Sequence, residues 1–293
     1  MTATTKGSPL SLGADPEFGF VTRMGFVRGA PTVLRGETNL GLSQFGADAG
    51  GGTVAELRPM PAYEPIELVK NIRNAMLMGI DKSPAAKYYE WKAGGMVDGC
   101  CIGGHIHFGN KIGKFPHRIN IRALDHLLAQ TVILLEDPVE ARDRRQSYGQ
   151  FGEHRDDHSH GTEYRSCSSW LTSPYIALGV LSLAKAIAVE SLMHGLTEEN
   201  MPDNVKVSPT EYNGCKMKVM RDRMPTVYEC VKKLDYYKKY APAIDMIFDL
   251  VKNKKTWFPN IGMKAAWGIG SSKEHEEKDY IPKLTLKQIF SGI

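Results

Sequence analysis

The chain is poor in cysteine and has no cysteine pattern that would staple it. Its 293 residues include five cysteines, an odd number with Cys100 and Cys101 adjacent, and no Cys-x-x-Cys or Cys/His zinc spacing. Reduced thiols used for packing follow, rather than a disulfide frame or a thiolate metal site. Charge of one sign is also scarce: 37 Lys+Arg against 33 Asp+Glu leave a formal net charge of +4. That balance is too mild to argue for nucleic acid or an anionic membrane, and no basic stripe interleaves with aromatics. Lys252 to Lys255 reads as a solvated helix end. Met1 to Leu10 has no apolar core of signal-peptide length, so a cytoplasmic protein is expected. Internal repeats, heptad arrays and low-complexity segments are absent. At this length a chain can bury roughly 75% of its unfolded surface, as one large domain or two small ones.

What is present is a series of short strand-like segments that each carry charge on one side. Ser11 to Thr22 alternates so that Leu12, Ala14, Pro16, Phe18 and Phe20 share one face, with Asp15 and Glu17 on the other. Pro16 favours an edge strand or a strand start. A glycine-rich loop holding Asp48, Phe45 to Gly52, matches no phosphate-binding template and feeds Thr53 to Pro59, where Glu56 and Arg58 project together. His105 and His107 share a face within Gly103-Gly104-His105-Ile106-His107-Phe108-Gly109, whose glycines leave room for something to approach the backbone. In Gly161 to Trp170 the period of two sets Glu163 and Arg165 side by side. Either such an acid and base neutralise each other, or each has its own ligand, a cation and an anion.

Between these segments the pattern is helical. Glu64 to Ile80 carries Pro65 in its first turn and an apolar stripe of Ile66, Val69, Ile72 and Met76. Ile119 to Glu136 turns Ile121, Leu124, Leu128 and Leu135 inward. A guanidinium-rich stretch, Arg142, Arg144, Arg145 and Arg155 interrupted by Tyr148-Gly149 and Gly152, then leads through an Asp/His-rich loop into Glu163, and it reads as an anion-binding run. Ser173-Pro174 starts a helix apolar nearly all round to Met193; Lys185 and Glu190 inside it favour a buried core helix over a membrane span. One or two further helices, broken at Pro242, are expected from about Pro225 to Lys255.

Antiparallel strands would gather Asp15/Glu17, Glu56/Arg58, His105/His107 and Glu163/Arg165 onto one sheet surface. Five carboxylates there, counting Asp48, would repel one another unless cations compensate. An oxygen-rich site with one or two imidazoles suits magnesium or manganese, and added arginines make it a constellation for metal-nucleotide phosphate chemistry.

The order Gly-Ala-Asp-Pro-Glu, Ala-Glu-Leu-Arg-Pro, Gly-Gly-His-Ile-His-Phe-Gly, Arg-Arg-Gln-Ser-Tyr-Gly and Glu-Tyr-Arg resembles the glutamine synthetase and glutamate–cysteine ligase superfamily, and more closely its phage-type amidoligases. The resemblance implies an α+β fold in which a curved antiparallel sheet walls an active-site funnel. It implies one domain over 1–293, with a motif-bearing core over 11–170 and a helical extension over 171–293. It further implies ATP and two or more Mg²⁺ or Mn²⁺ ions, one held by Glu17, Asp48 and Glu56, the other by Asp15, His105 and Glu163. His107, Arg145, Arg155 and Arg165 would meet phosphate oxygens, with Arg165 and Arg145 serving phosphoryl transfer and Arg58 clamping the acceptor carboxylate. The partners implied are a carboxylate and an amine, from a small molecule, a peptide or a modified nucleobase. Two rival readings stand beside this one. A zinc hydrolase would use His105 and His107 to activate water, and a non-catalytic phage structural or interaction protein would keep the fold without turnover.

Overall fold

The alternation at the start of the chain becomes the axis of the sheet. Strand β1, Ser11–Val21, sends Leu12, Ala14, Phe18 and Phe20 into the core and pairs with four other strands. A computed structural model describes residues 10–34, 44–48, 52–109, 116–157, 161–258 and 262–269. Of the segments singled out in the sequence, Met1 to Pro9, Ala49 to Gly51 and His158 to His160 lie outside the described residues.

The strands in chain order are β1, β2 (Val27–Arg28), β3 (Phe45–Ala47), β4 (Val54–Leu57), β5 (Glu90–Lys92), β6 (Met96–Val97), β7 (Cys100–Cys101), β8 (Gly104–Gly109), β9 (His154–Asp157) and β10 (Gly161–Tyr164). The main sheet runs β3-β4-β1-β8-β10-β9, with β2 and β5 on the far end of β1, and its pairings are antiparallel. With its many helices it makes a mixed α/β molecule. Pro16 therefore sits in a central strand, not at an edge. The paired register passes from β8 (Ser11 to Pro16) to β4 (Glu17 to Gly19) at that residue, so the missing amide falls at the handover between neighbours.

Helices cover the face of the sheet that carries Leu12 and Phe18. Glu64 is extended, Pro65 takes the first helical position, and Pro65–Lys82 buries Leu68, Val69, Ile72, Ala75, Met76 and Ile80. Gly79 permits contact with the strand beneath, because a Cβ there would strike the ring of Phe45. The stretch expected as one helix over 119–136 starts at Ile121, capped by Asn120, whose side chain accepts from Ala123 N at 2.9 Å. It widens to a π turn over Asp125–Ala129, which places Asp125 and His126 inside, and ends as a 3-10 turn over Ile133–Leu135.

Pro174–His194, capped by Ser173, is long and apolar enough to cross a membrane by length and composition, and 89% of that window is buried within the protein. Gly179 lets Tyr237–Lys252 pack close, since an added Cβ would lie 2.9 Å from Ala243 O. The C-terminal helices differ from expectation. They run Met217–Val231 and Tyr237–Lys252, with Pro225 and Pro242 inside them rather than at a start and a break. A proline removes one amide donor and bends a helix; burial of Tyr240, Ala243, Ile244 and Ile247 on both sides of Pro242 holds that turn in place. The five cysteines are all free.

Candidate functional site

Cross-strand partners in an antiparallel sheet point to the same face, so the register decides which side chains meet. Glu17 stands opposite Glu56, Asp15 opposite His105, His107 opposite Glu163, and Glu163 opposite Arg155. The charged segments of five strands thus form one row on the face away from the helices, hereafter the front face. The hairpin of β6 and β7 closes one end of it, where Val97 and Ile102 pack on Val54 in a small apolar cluster. That cover leaves Glu17 and Glu56 only 7% exposed and His105 3% exposed. Glu17 accepts a hydrogen bond from Gly103 N at 2.6 Å, and its own carbonyl accepts from Ser169 Oγ at 2.6 Å.

Asp15, His105 and Glu163 bring one ligand atom each to within 4.8 Å of one another. His105 Nδ1 lies 3.3 Å from Asp15 Oδ1 and 3.5 Å from Glu163 Oε1, while His107 Nε2 is 2.9 Å from Asp15 Oδ1. Despite these ion-pair distances, neither Asp15 Oδ1 nor His105 Nδ1, both buried, finds an aligned hydrogen-bond partner among the described residues. Buried polar atoms are ordinarily satisfied. Two carboxylates and an imidazole facing a common space, with such atoms left over, fit a hard divalent cation.

The electrostatics reflect the crowding. Burial raises the Asp15 carboxyl, and the imidazoles of His105 and His107 more than reverse this, holding it below the usual carboxylate range. Burial pushes Glu17 up, with His105 and the Gly103 amide opposing and Asp48 and Asp15 adding to the rise. Glu56 is pushed up to about 9 by burial and the Asp15 charge, against the pull of Arg58. His107 is raised despite its burial because it faces Asp15 and Glu163.

The remaining expected residues divide. Arg165, just past β10, sets Nε 3.2 Å from Glu163 Oε1, and the exposed Arg155 sets Nη1 3.8 Å from Glu163 Oε2. Asp48 follows β3, donates its amide to Val54 O at 3.0 Å, and reaches Glu17 and Glu56 electrostatically. Arg58 forms a salt bridge with Glu56 and donates to Ala47 O at 3.4 Å.

Arg145, expected among the phosphate contacts, is instead interior. Its Nη1 and Nη2 grip Glu136 at 2.7 and 2.9 Å, and Nη2 also donates to Tyr212 Oη at 3.0 Å. Arg144 is buried too, donating to Ile102 O at 2.9 Å, Ser166 O at 3.0 Å and Cys167 O at 3.0 Å. Both follow from the helix Pro138–Arg144: Ala141, Arg144 and Arg145 fall at i, i+3 and i+4 and so share its buried face. That spacing was the available signal, and the anion-binding reading of the run overlooked it. The glycines before His105 likewise serve the protein's own side chains. A Cβ on Gly103 would come 2.9 Å from His105 Cε1, and Gly104 O accepts from Trp170 Nε1 at 2.8 Å.

Tyr148, in the Arg-Arg-Gln-Ser-Tyr-Gly motif, joins His105 to Arg165. Its Oη is 2.8 Å from His105 Nε2 and accepts from Arg165 Nη2, whose guanidinium lies over the ring at 4.9 Å. A family model described as phage phiEco32-like COOH.NH2 ligase-type 2 matches residues 12–269. No curated protein matches the chain.

Proposed function

The chain belongs to the phage phiEco32-like COOH.NH2 ligase family, type 2, and from that membership we propose that it joins a carboxylate to an amine with ATP as the energy source, on a glutamine-synthetase-like fold whose front face walls a funnel. The observation that carries the reading is the convergence of Asp15, His105 and Glu163 beside Glu17, Glu56 and Arg165 on one sheet face. Asp15, His105 and Glu163 would hold one Mg²⁺ or Mn²⁺, and Glu17, Asp48 and Glu56 a second. Bound there, such ions supply charge neutralisation for phosphate oxygens and for the crowded carboxylates themselves.

The protein's own groups do the rest by position. Arg165 and Arg155 flank Glu163, which supports a role for them, with His107, in receiving phosphate oxygens. Arg58, engaged by Glu56 and the Ala47 carbonyl, is assigned to holding Glu56. In the first step a substrate carboxylate oxygen attacks the γ-phosphorus of ATP, the bond to the β-bridging oxygen breaks, and ADP departs from an acyl phosphate. In the second the amine nitrogen attacks the acyl carbon, phosphate leaves, and the amine proton passes to solvent. Phosphoryl transfer asks chiefly for alignment and charge compensation. Cys167, two residues after Arg165, is no nucleophile: burial and the Glu136 charge push its thiol up to about 12.

The test is thermal unfolding with nucleotide. ATP should raise Tm only with Mg²⁺ or Mn²⁺ present, by the equivalent of ~2.7 kcal/mol at about 100 times Kd. No shift at millimolar MgATP overturns the reading, and stoichiometric zinc in protein purified without chelator would transfer the site to the hydrolase class.

A further inference from the structure

We propose that Tyr148 is a positioning residue that joins the His105 side of the acid row to Arg165, fixing the imidazole with Nδ1 toward Asp15 and Glu163 and the guanidinium beside Glu163. The inference rests on the ligase reading and adds a residue to it. His105 offers two nitrogens, and only one faces the carboxylates. Nδ1 lies 3.3 and 3.5 Å from Asp15 and Glu163, and Nε2 is taken by Tyr148 Oη at 2.8 Å. An imidazole nitrogen that binds a cation must present a lone pair, so the ring proton belongs on the other nitrogen, where an oxygen must receive it. Tyr148 Oη is that oxygen. The same Oη accepts from Arg165 Nη2, so one hydroxyl sets both groups.

Tyr148 is itself held from behind. Its amide donates to Arg144 O at 2.9 Å, and the Arg144 guanidinium also lies over the ring, 5.0 Å from its centroid. Arg144 in turn ties down the carbonyls of Ile102, Ser166 and Cys167, the residues next to β8 and β10. Gly149 follows at φ +67, and a side chain there would collide with the Arg144 guanidinium. The turn is therefore built around Arg144, and Tyr148 projects from it to the two strands that carry His105 and Glu163.

The test compares Tyr148→Phe, which keeps the ring in contact with both arginines, with Tyr148→Ala, which removes it. Mn²⁺ titration followed by electron paramagnetic resonance should show ~10–100-fold weaker binding for Tyr148→Phe, the usual loss for a partner of a ligating histidine. Nitrogen-15 shifts at a fixed, near-saturating Mg²⁺ concentration should show His105 protonated at Nε2 in the wild type and less completely so in Tyr148→Phe. Unchanged Mn²⁺ affinity and tautomer in Tyr148→Phe, with lowered Tm in Tyr148→Ala alone, would reduce Tyr148 to a packing residue and overturn the proposal. Wild-type protein that binds no Mn²⁺, or binds it equally after Asp15→Asn, would instead overturn the ligase reading on which it rests.

Discussion

The clamp around Arg144 and Arg145 and the acid row on the front face are built from the same side-chain types, and they differ in how carboxylates and cations are matched. In the clamp, Glu136 receives both Arg145 forks at 2.7 and 2.9 Å, and Arg144 distributes its donors over the carbonyls of Ile102, Ser166 and Cys167. On the front face, Asp15, Glu17, Glu56 and Glu163 crowd together around His105, and among the described residues each region leaves buried polar atoms over: Arg145 Nε in the clamp, Asp15 Oδ1 and His105 Nδ1 in the row. Proximity of charges is common to both regions, so it does not distinguish structure from function. The matching of charge does: a carboxylate gripped by a guanidinium fork makes a rigid element, while carboxylates crowded against one another cost stability and are tolerated where a ligand neutralises them.

The largest effect that would break this contrast concerns Arg145. Arg145→Ala leaves Glu136 charged and buried, and unfolding in urea should show a loss of ~3–5 kcal/mol. If the variant kept its stability yet lost MgATP binding, Arg145 would belong to the site after all. Arg165→Ala is the complementary case. Its stability should change by less than about 1 kcal/mol, while amide formation falls by ~10³-fold or more with MgATP affinity largely kept. Coupled stability losses in a double-mutant cycle with Glu163, without any effect on nucleotide, would mark the two as a structural ion pair.

A smaller change sharpens the difference within the row. Glu163→Ala should weaken MgATP binding about tenfold or more and recover in part at high Mg²⁺ or Mn²⁺, as calorimetry would show. The smallest effect is electrostatic and lies far from the row. Lys185 is buried in the long apolar helix, donates to Leu10 O, and burial pulls its ammonium down to about 7. The folded chain then binds fewer protons than the unfolded one between pH 7 and 10.5. Stability should accordingly rise with pH across that window, by at most about 1.4 kcal/mol per unit from this group. Lys185→Met should remove that component of the slope, and an unchanged slope would place its origin elsewhere.

Several of these residues were legible before any fold was known, for identifiable reasons. Asp15 with Glu17, His105 with His107 and Glu163 with Arg165 pair by a period of two, and Ser173-Pro174 marks a helix start by its own hydroxyl, which accepts from Ile176 N at 3.3 Å. Pro16 and Pro242 misled because a proline's cost depends on whether its missing amide faced a partner and on what packs around it. The arginines misled for a related reason. A guanidinium serves a phosphate, a carboxylate or a row of carbonyls equally well, and composition alone does not say which. Tyr148 stood within the Arg-Arg-Gln-Ser-Tyr-Gly motif but its role was not legible, because nothing local ties it to His105, which lies on a separate strand and meets it only across the fold.

The sequence by itself determined the alternation of each strand, the capped starts of the helices and the apolar length of Pro174–His194, because these depend on neighbours within a few bonds. Only the tertiary structure decided that β1 would lie between β4 and β8, with β10 beyond. That order sets Asp15 opposite His105 and His107 opposite Glu163, and it leaves Arg165 in the row while Arg145 is sealed against Glu136. The physical reason is that strand pairing joins segments distant along the chain, through backbone groups common to all residues, so the choice among partners is made by the packing of the whole core.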